Sequence, residues 1–225
     1  MPLALLFDLD GTVVDTDQLH IAAWNSVLAT DGRQIGAGFY RTSLMGFAAD
    51  AVTAALFPDH SAAQRTAMAY AKEVAFRSQV GELVPTAGLP AVLEWADGLS
   101  LPMAVVTNAP RDNALLLLRG LGWAARFPVL VIGEELARGK PDPLTYFTAM
   151  QQLGVHAGQA LAFEDSLSGV RAAVAAGIET IGLTTALPHD VLRSAGATAS
   201  VRDFTDPALL ELMRRRETAN RPTGV

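Results

Sequence analysis

The chain has 225 residues, half of them hydrophobic and 18% charged, with no cysteine and a formal net charge of −6. That length supports a substantial core, and the missing cysteines exclude disulfides and thiolate metal sites. The only cluster of basic residues, Arg214-Arg215-Arg216, reads as the solvated end of a last helix, so nucleic acid is not expected as a partner.

No stretch approaches the roughly 18 uncharged apolar residues that cross a membrane. The N-terminus lacks the basic and apolar sections of a signal peptide, and Asp8 interrupts its apolar run early. The expectation is a cytoplasmic protein without a membrane partner.

The first element is the apolar run Leu3-Ala4-Leu5-Leu6-Phe7, which predicts a short buried strand. Asp8-Leu9-Asp10-Gly11-Thr12 follows directly. In extended chain, residues i and i+2 point the same way, so Asp8 and Asp10 can face one site, and Gly11 allows a sharp turn. Such a pair can hold a hard cation and still offer an oxygen nucleophile. A calcium loop of the EF-hand type fails, because its fifth, sixth and twelfth positions would be Thr12, Val13 and Leu19. A plain acidic turn is the alternative.

Residues 16–82 contain no convincing strand. Leu19, Ala22, Ala23, Ser26 and Val27 line one face of a first helix, and 48–56 and 62–80 read as further helices. Past residue 85 the pattern changes to short apolar runs at 103–106, 129–132, 161–163 and 180–183. These alternate with helical spacing over 109–121, 143–153 and 167–176. This rhythm predicts an α/β fold, a Rossmann-like parallel sheet with helices on both faces that also includes the first strand. The helical block then becomes a cap inserted over the sheet's C-terminal edge. The expected division is a core of 1–15 and 83–217, a cap of 16–82 hinged at 15–17 and 81–88, and a frayed tail of 218–225.

Three more polar segments follow predicted strands: Thr107-Asn108, Lys140-Pro141 and Glu164-Asp165-Ser166. Alone, the first and last could be helix caps and the second a surface turn. Gly133 through Gly139-Lys140 is not a P-loop, since five residues rather than four separate the glycines and Pro141 replaces the serine or threonine. Ligands of open parallel sheets bind beyond the carboxyl ends of the strands. Pooled there, four acids, a lysine, a hydroxyl and helix N-termini suit a phosphate ester with magnesium.

With these four segments in this order, the chain resembles the haloacid dehalogenase-like hydrolases, in the branch holding β-phosphoglucomutase and many small-molecule phosphatases. The motifs that carry the resemblance are Asp8-Leu9-Asp10-Gly11-Thr12, Thr107-Asn108, Lys140-Pro141 and Glu164-Asp165. The resemblance implies a Mg2+-dependent phosphatase acting on a small phosphorylated metabolite, such as a sugar phosphate or phosphoglycolate, through an aspartyl-phosphate. It makes Asp8 the nucleophile, Asp10 the acid and base, and Lys140 the residue that holds Asp8 and offsets its charge. The Asp8 carboxylate, Asp10 backbone carbonyl, Asp165 and Glu164 would take the metal. Thr107, Asn108 and Lys140 would grip the phosphoryl group.

For the cap the resemblance implies His20, Trp24 and Gly46 as substrate-facing residues, against a reading of Trp24 as core and His20 as exposed. Mutases follow the glycine three residues later with a phosphate-gripping arginine, where this chain has Ala49. Lys72 and Arg77 are candidate cations against a solvated-surface reading. The competing functions are a β-phosphoglucomutase-type isomerase, opposed by Ala49, and a 2-haloacid dehalogenase, opposed by Asp10 with Glu164-Asp165. A non-catalytic binding protein is opposed by the intact set of groups.

Overall fold

The structure is a computed structural model that describes residues 3–220, without the side chains of 216–220. Six strands form one parallel sheet: β1 (Ala4–Phe7), β2 (Met103–Thr107), β3 (Val129–Ile132), β4 (Ala160–Glu164), β5 (Glu179–Leu183) and β6 (Ala199–Val201). Their spatial order is β3-β2-β1-β4-β5-β6. The chain winds outward from β1 through β2 to β3, then crosses back to β4 and winds the other way. This is the Rossmann-like α/β arrangement expected from the alternation of strands and helices.

The central strands are buried on both sides, which is why they read as unbroken apolar runs. Side-chain alternation divides each run between two cores. Leu5, Phe7, Val105, Leu161 and Phe163 face one core, where the Phe7 and Phe163 rings stack with centroids 5.0 Å apart. Ala4, Leu6, Ala104, Val106 and Ala162 face the other. Helices α5 (Leu89–Gly98), α6 (Arg111–Gly120) and α10 (Pro207–Asn220) contribute to the first core, and α7 (Leu144–Leu153) and α8 (Leu167–Ala175) to the second.

Between β1 and α5 lie α1 (Asp17–Leu28), α2 (Ala37–Ser43), α3 (Ala49–Leu56) and α4 (Ala62–Gln79). Ser61 caps α4 in a box with Gln64. Trp24, Tyr40, Leu44 and Leu56 of this block form a third core, which continues onto Val170 of α8 and Leu192 of α9 (His189–Ser194). The two crossings between block and sheet run side by side: Val14 bridges antiparallel to Pro85, and the Thr86 N–H donates to the Val13 carbonyl at 3.0 Å.

Four elements go beyond the sequence reading. Strand β6 is three residues long and half-buried, too short to show a pattern. Helices α2 and α9 are seven and six residues long, below the length at which periodicity is readable. Helix α5 begins at Gly88-Leu89-Pro90, which reads as a turn until Gly88 takes φ +81° and the prolyl ring sits in the first helical turn. Of the tail expected over 218–225, residues 218–220 continue α10 and the remainder lies outside the described residues. No helix among the described residues is long and apolar enough to cross a membrane.

Candidate active site

Because Phe7 is in register with Phe163, Asp8 and Glu164 leave adjacent strands at the same level. The Asp8 N–H donates to the Phe163 carbonyl at 3.0 Å, which extends the ladder by one residue and fixes the start of the first motif. On the other flank β2 ends in Thr107. The site therefore forms around β1, where the winding of the sheet reverses.

Lys140 ties these strands together. Its peptide bond to Pro141 is cis, and its side chain is buried. Nζ donates to Asp8 Oδ1, Glu164 Oε1 and the Val106 carbonyl, each at 2.6 Å. An ammonium has three hydrogens, so all have protein acceptors. Burial works against the charge, but the Asp8 and Glu164 carboxylates override it and raise the Lys140 pKa. Burial pushes the Asp8 carboxyl up to about 8; the Lys140 charge opposes this, while Glu164 and Asp10 reinforce it.

Asp8, Glu164 and Asp165 bring ligand oxygens within 4.8 Å of one another. Glu164 is fully buried and is also held by the Tyr146 hydroxyl, which donates to Oε1 at 2.6 Å. Both Asp165 oxygens are buried with no hydrogen-bond partner among the described residues. Burial, then the charges of Asp8 and Glu164, raise its pKa well above the ordinary carboxyl value. Two bare oxygens beside two other carboxylates fit a hard divalent cation. The Asp10 side chain is not in this cluster.

Gly11 shapes the same corner. It has φ +78°, and a Cβ there would run into the Asp165 carboxylate. Gly11→Ala should lower stability by about 2–4 kcal/mol, adding left-handed strain to overpacking. Urea unfolding reads this directly; an unchanged midpoint would mean that the turn relaxes freely.

Asp10 faces the helical block instead. Its Oδ1 accepts from Thr16 Oγ1 at 2.5 Å and from His20 Nε2 at 3.1 Å. His20 Nδ1 in turn accepts from Lys72 Nζ at 2.9 Å. A carboxylate only accepts and an ammonium only donates, so this chain fixes the imidazole proton on Nε2. Burial works to raise the Asp10 pKa, but the hydrogen bonds from His20 and Thr16 and the Lys72 charge hold it below the ordinary value.

Lys72 is thus no solvated surface group: it is buried and also bonds Glu73 at 2.9 Å. Arg77 donates to Asn113 Oδ1 at 3.0 Å and does not line the cleft. His20 is buried, stacked on Phe76 with centroids 4.4 Å apart, and Trp24 both belongs to the third core and lines the cleft. The alternative of core Trp24 against facing Trp24 dissolves because the residue does both.

Thr107 Oγ1 accepts from the Ala109 N–H at 2.9 Å, which leaves its own hydrogen to be directed elsewhere. The Asn108 side chain cross-links three loops. Its Nδ2 donates to the carbonyls of Gly46 and Lys140, and its Oδ1 accepts the Lys140 N–H. The Gly46 carbonyl also accepts from Ser168 Oγ at 2.5 Å, which pins the helical block to the start of α8. The cleft above all these groups has a volume of about 960 Å³.

Tyr146, Thr16 and Glu73 join the site without having been expected there. Tyr146 sits at core spacing on α7 and has no sequence signal separating it from packing. Thr16 and Glu73 adjoin segments that carry a signal, and that proximity is the only one they have.

The sequence profile of the haloacid dehalogenase-like hydrolases matches residues 5–183. The chain is 34% identical to the validoxylamine A 7'-phosphate phosphatase of Streptomyces hygroscopicus subsp. limoneus, over 89% of this chain and 93% of that protein. It is 31% identical to a phosphorylated carbohydrates phosphatase of Thermotoga maritima, over 88% and 94%. The crystal structure of a mutant CbbY from Rhodobacter sphaeroides with xylulose-1,5-bisphosphate superposes with a TM-score of 0.80 at 29% identity, covering 92% of this chain and 96% of that one. With the profile spanning both the carboxylate pair at the end of β1 and the Lys140–Glu164 cluster, the chain belongs to the haloacid dehalogenase-like hydrolase family.

Proposed function

We propose that the protein is a magnesium-dependent phosphatase of small phosphorylated metabolites that works through a phosphoaspartate on Asp8. The observation that carries this reading is the pairing at Asp8: one oxygen is gripped by Lys140, and the partnerless Asp165 oxygens lie alongside. The relatives named as phosphatases support the same reaction class.

Asp8 would attack phosphorus while the Thr107 hydroxyl and the Asn108 N–H hold phosphoryl oxygens. Asp10 would give its proton to the leaving oxygen, then take one from the water that hydrolyses the intermediate. The arrangement with Asp10 ionised, bonded to His20 and Thr16, suits the second half-reaction. Lys140 would hold Asp8 in line and act on the phosphoryl group through its charge. Asp8, Asp165 and the Asp10 backbone carbonyl would take the metal, with Glu164 direct or through water. Bound magnesium supplies positive charge against the crowded carboxylates and the phosphate. The helical block over residues 16–82 would act as the cap that chooses the substrate.

Phosphate release from a panel of phosphorylated metabolites, with magnesium and with EDTA, tests the reading; release unaffected by EDTA would sink the metal requirement. Metal binding also has a readout without turnover. The Asp8 and Asp165 pKa values are raised in the folded state, so these groups stabilise the metal-free protein below the ordinary carboxyl range. That contribution is lost as pH rises, for Asp8 through about 8. Magnesium competes with those protons. The magnesium-induced rise in Tm should therefore be larger near about pH 8 than near about pH 6; the opposite order would argue against ligation by these carboxylates.

A further inference from the structure

The cleft is poor in available positive charge. Three of its lining residues are cations; the two lysines are buried and engaged, and the third, Arg138, lies exposed at the rim, paired with one acid. Lys140 has its three acceptors, Lys72 bonds His20 and Glu73, and Arg138 pairs with Asp142 at 2.9 Å. Asp50 and Glu134 add exposed carboxylates to the lining. Glu134 lies close enough to Glu73 for that charge to help burial raise its pKa.

The walls on the side of the helical block have a different character. Trp24, Leu44, Met45 and Val52 are buried and apolar, and Ala49 presents only a methyl group. Tyr40 brings a phenol into this wall, and burial together with the Asp10 and Asp17 charges keeps it protonated. An aromatic and aliphatic wall with a neutral hydroxyl matches the faces and edges of a polyhydroxylated ring. A second anion would meet engaged cations and several carboxylates.

Resting on the phosphatase reading above, we propose that the leaving alcohol is a neutral, hydroxyl-rich ring bearing no second phosphate or carboxylate. This selects sugar monophosphates over sugar bisphosphates and over small phosphorylated acids.

The test uses glucose 6-phosphate, fructose 1,6-bisphosphate and phosphoglycolate. Wild-type kcat/KM is measured with magnesium, and binding of the same three to Asp8→Asn by calorimetry. Glucose 6-phosphate should be favoured at least about tenfold in both measurements. Equal or better performance of either anionic compound, or no measurable binding of glucose 6-phosphate, would overturn the proposal. A wild-type enzyme inert toward all three and toward p-nitrophenyl phosphate would overturn the phosphatase reading, and with it the assignment of a leaving alcohol; a retained binding preference would then describe only which phosphate ester the cleft holds. Asp50→Lys should narrow the gap between glucose 6-phosphate and fructose 1,6-bisphosphate about threefold or more; an unchanged gap would refute the electrostatic account.

Discussion

Asp8→Asn should reduce phosphate release by about four orders of magnitude or more while leaving the fold intact. The substitution keeps the shape of the side chain and an oxygen that can accept from Lys140 Nζ, but an amide is no nucleophile toward phosphorus. Stability should follow the reverse trend. In the metal-free protein the buried Asp8 carboxyl has its pKa pushed up to about 8, so its ionisation is costly. The raised value means that wild type loses stability as pH climbs through that range, whereas the asparagine variant has nothing to titrate there. The variant should accordingly gain in Tm relative to wild type with increasing pH, and its magnesium-induced shift should shrink. Thermal unfolding across pH with a phosphate-release assay measures both. Retained turnover would remove Asp8 from the role of nucleophile.

Lys140→Ala should damage activity and stability together. Its ammonium bridges β1, β2 and β4 through Asp8, the Val106 carbonyl and Glu164. Removing one partner of a buried ion pair strands the other, at a cost of about 3–5 kcal/mol. For a chain of this size that corresponds to a fall in Tm of roughly 6–20 °C. Turnover should fall about 100- to 1000-fold, because Asp8 loses both its orientation and its counter-charge. Lys140→Met, which keeps the volume, separates the two effects: it should recover part of the stability and none of the rate. If Lys140→Met recovered the rate, the charge would not matter to the chemistry.

Much of the sheet and of the candidate site was legible because the physics is local. Strands buried on both faces must be apolar throughout, so β1, β2 and β4 were visible within a residue or two of their ends. Polar residues just beyond such runs can only be at the rim, which located Asp8, Asp10, Thr107 and Glu164. The chain from Asp10 through His20 to Lys72 was not legible. It depends on how α4 crosses α1, with His20 and Lys72 lying 52 positions apart in the sequence, and no local pattern encodes that crossing. The capture of Glu164 by Tyr146 fails for the same reason: a buried tyrosine at helical spacing reads as packing whether or not its hydroxyl has an ionised partner. The helical block was recognisable as helical, but the engagement of each of its cations came only from tertiary contacts.

The position of β1 at the middle of the sheet also dictates when the site can come into being. Leu5 pairs with Met103 on one side and Leu161 on the other, so β1, synthesised before both of its neighbours, finds the second only once the chain through β4 has been made. Until then Leu3-Ala4-Leu5-Leu6-Phe7 is a nascent apolar segment with open edges, the kind that invites intermolecular pairing. The helices of the block between β1 and β2 can form from nearby contacts in the meantime. Regain of enzymatic activity after dilution from denaturant should accordingly lag behind regain of the helical circular dichroism signal, with β4 docking as the event that completes the site.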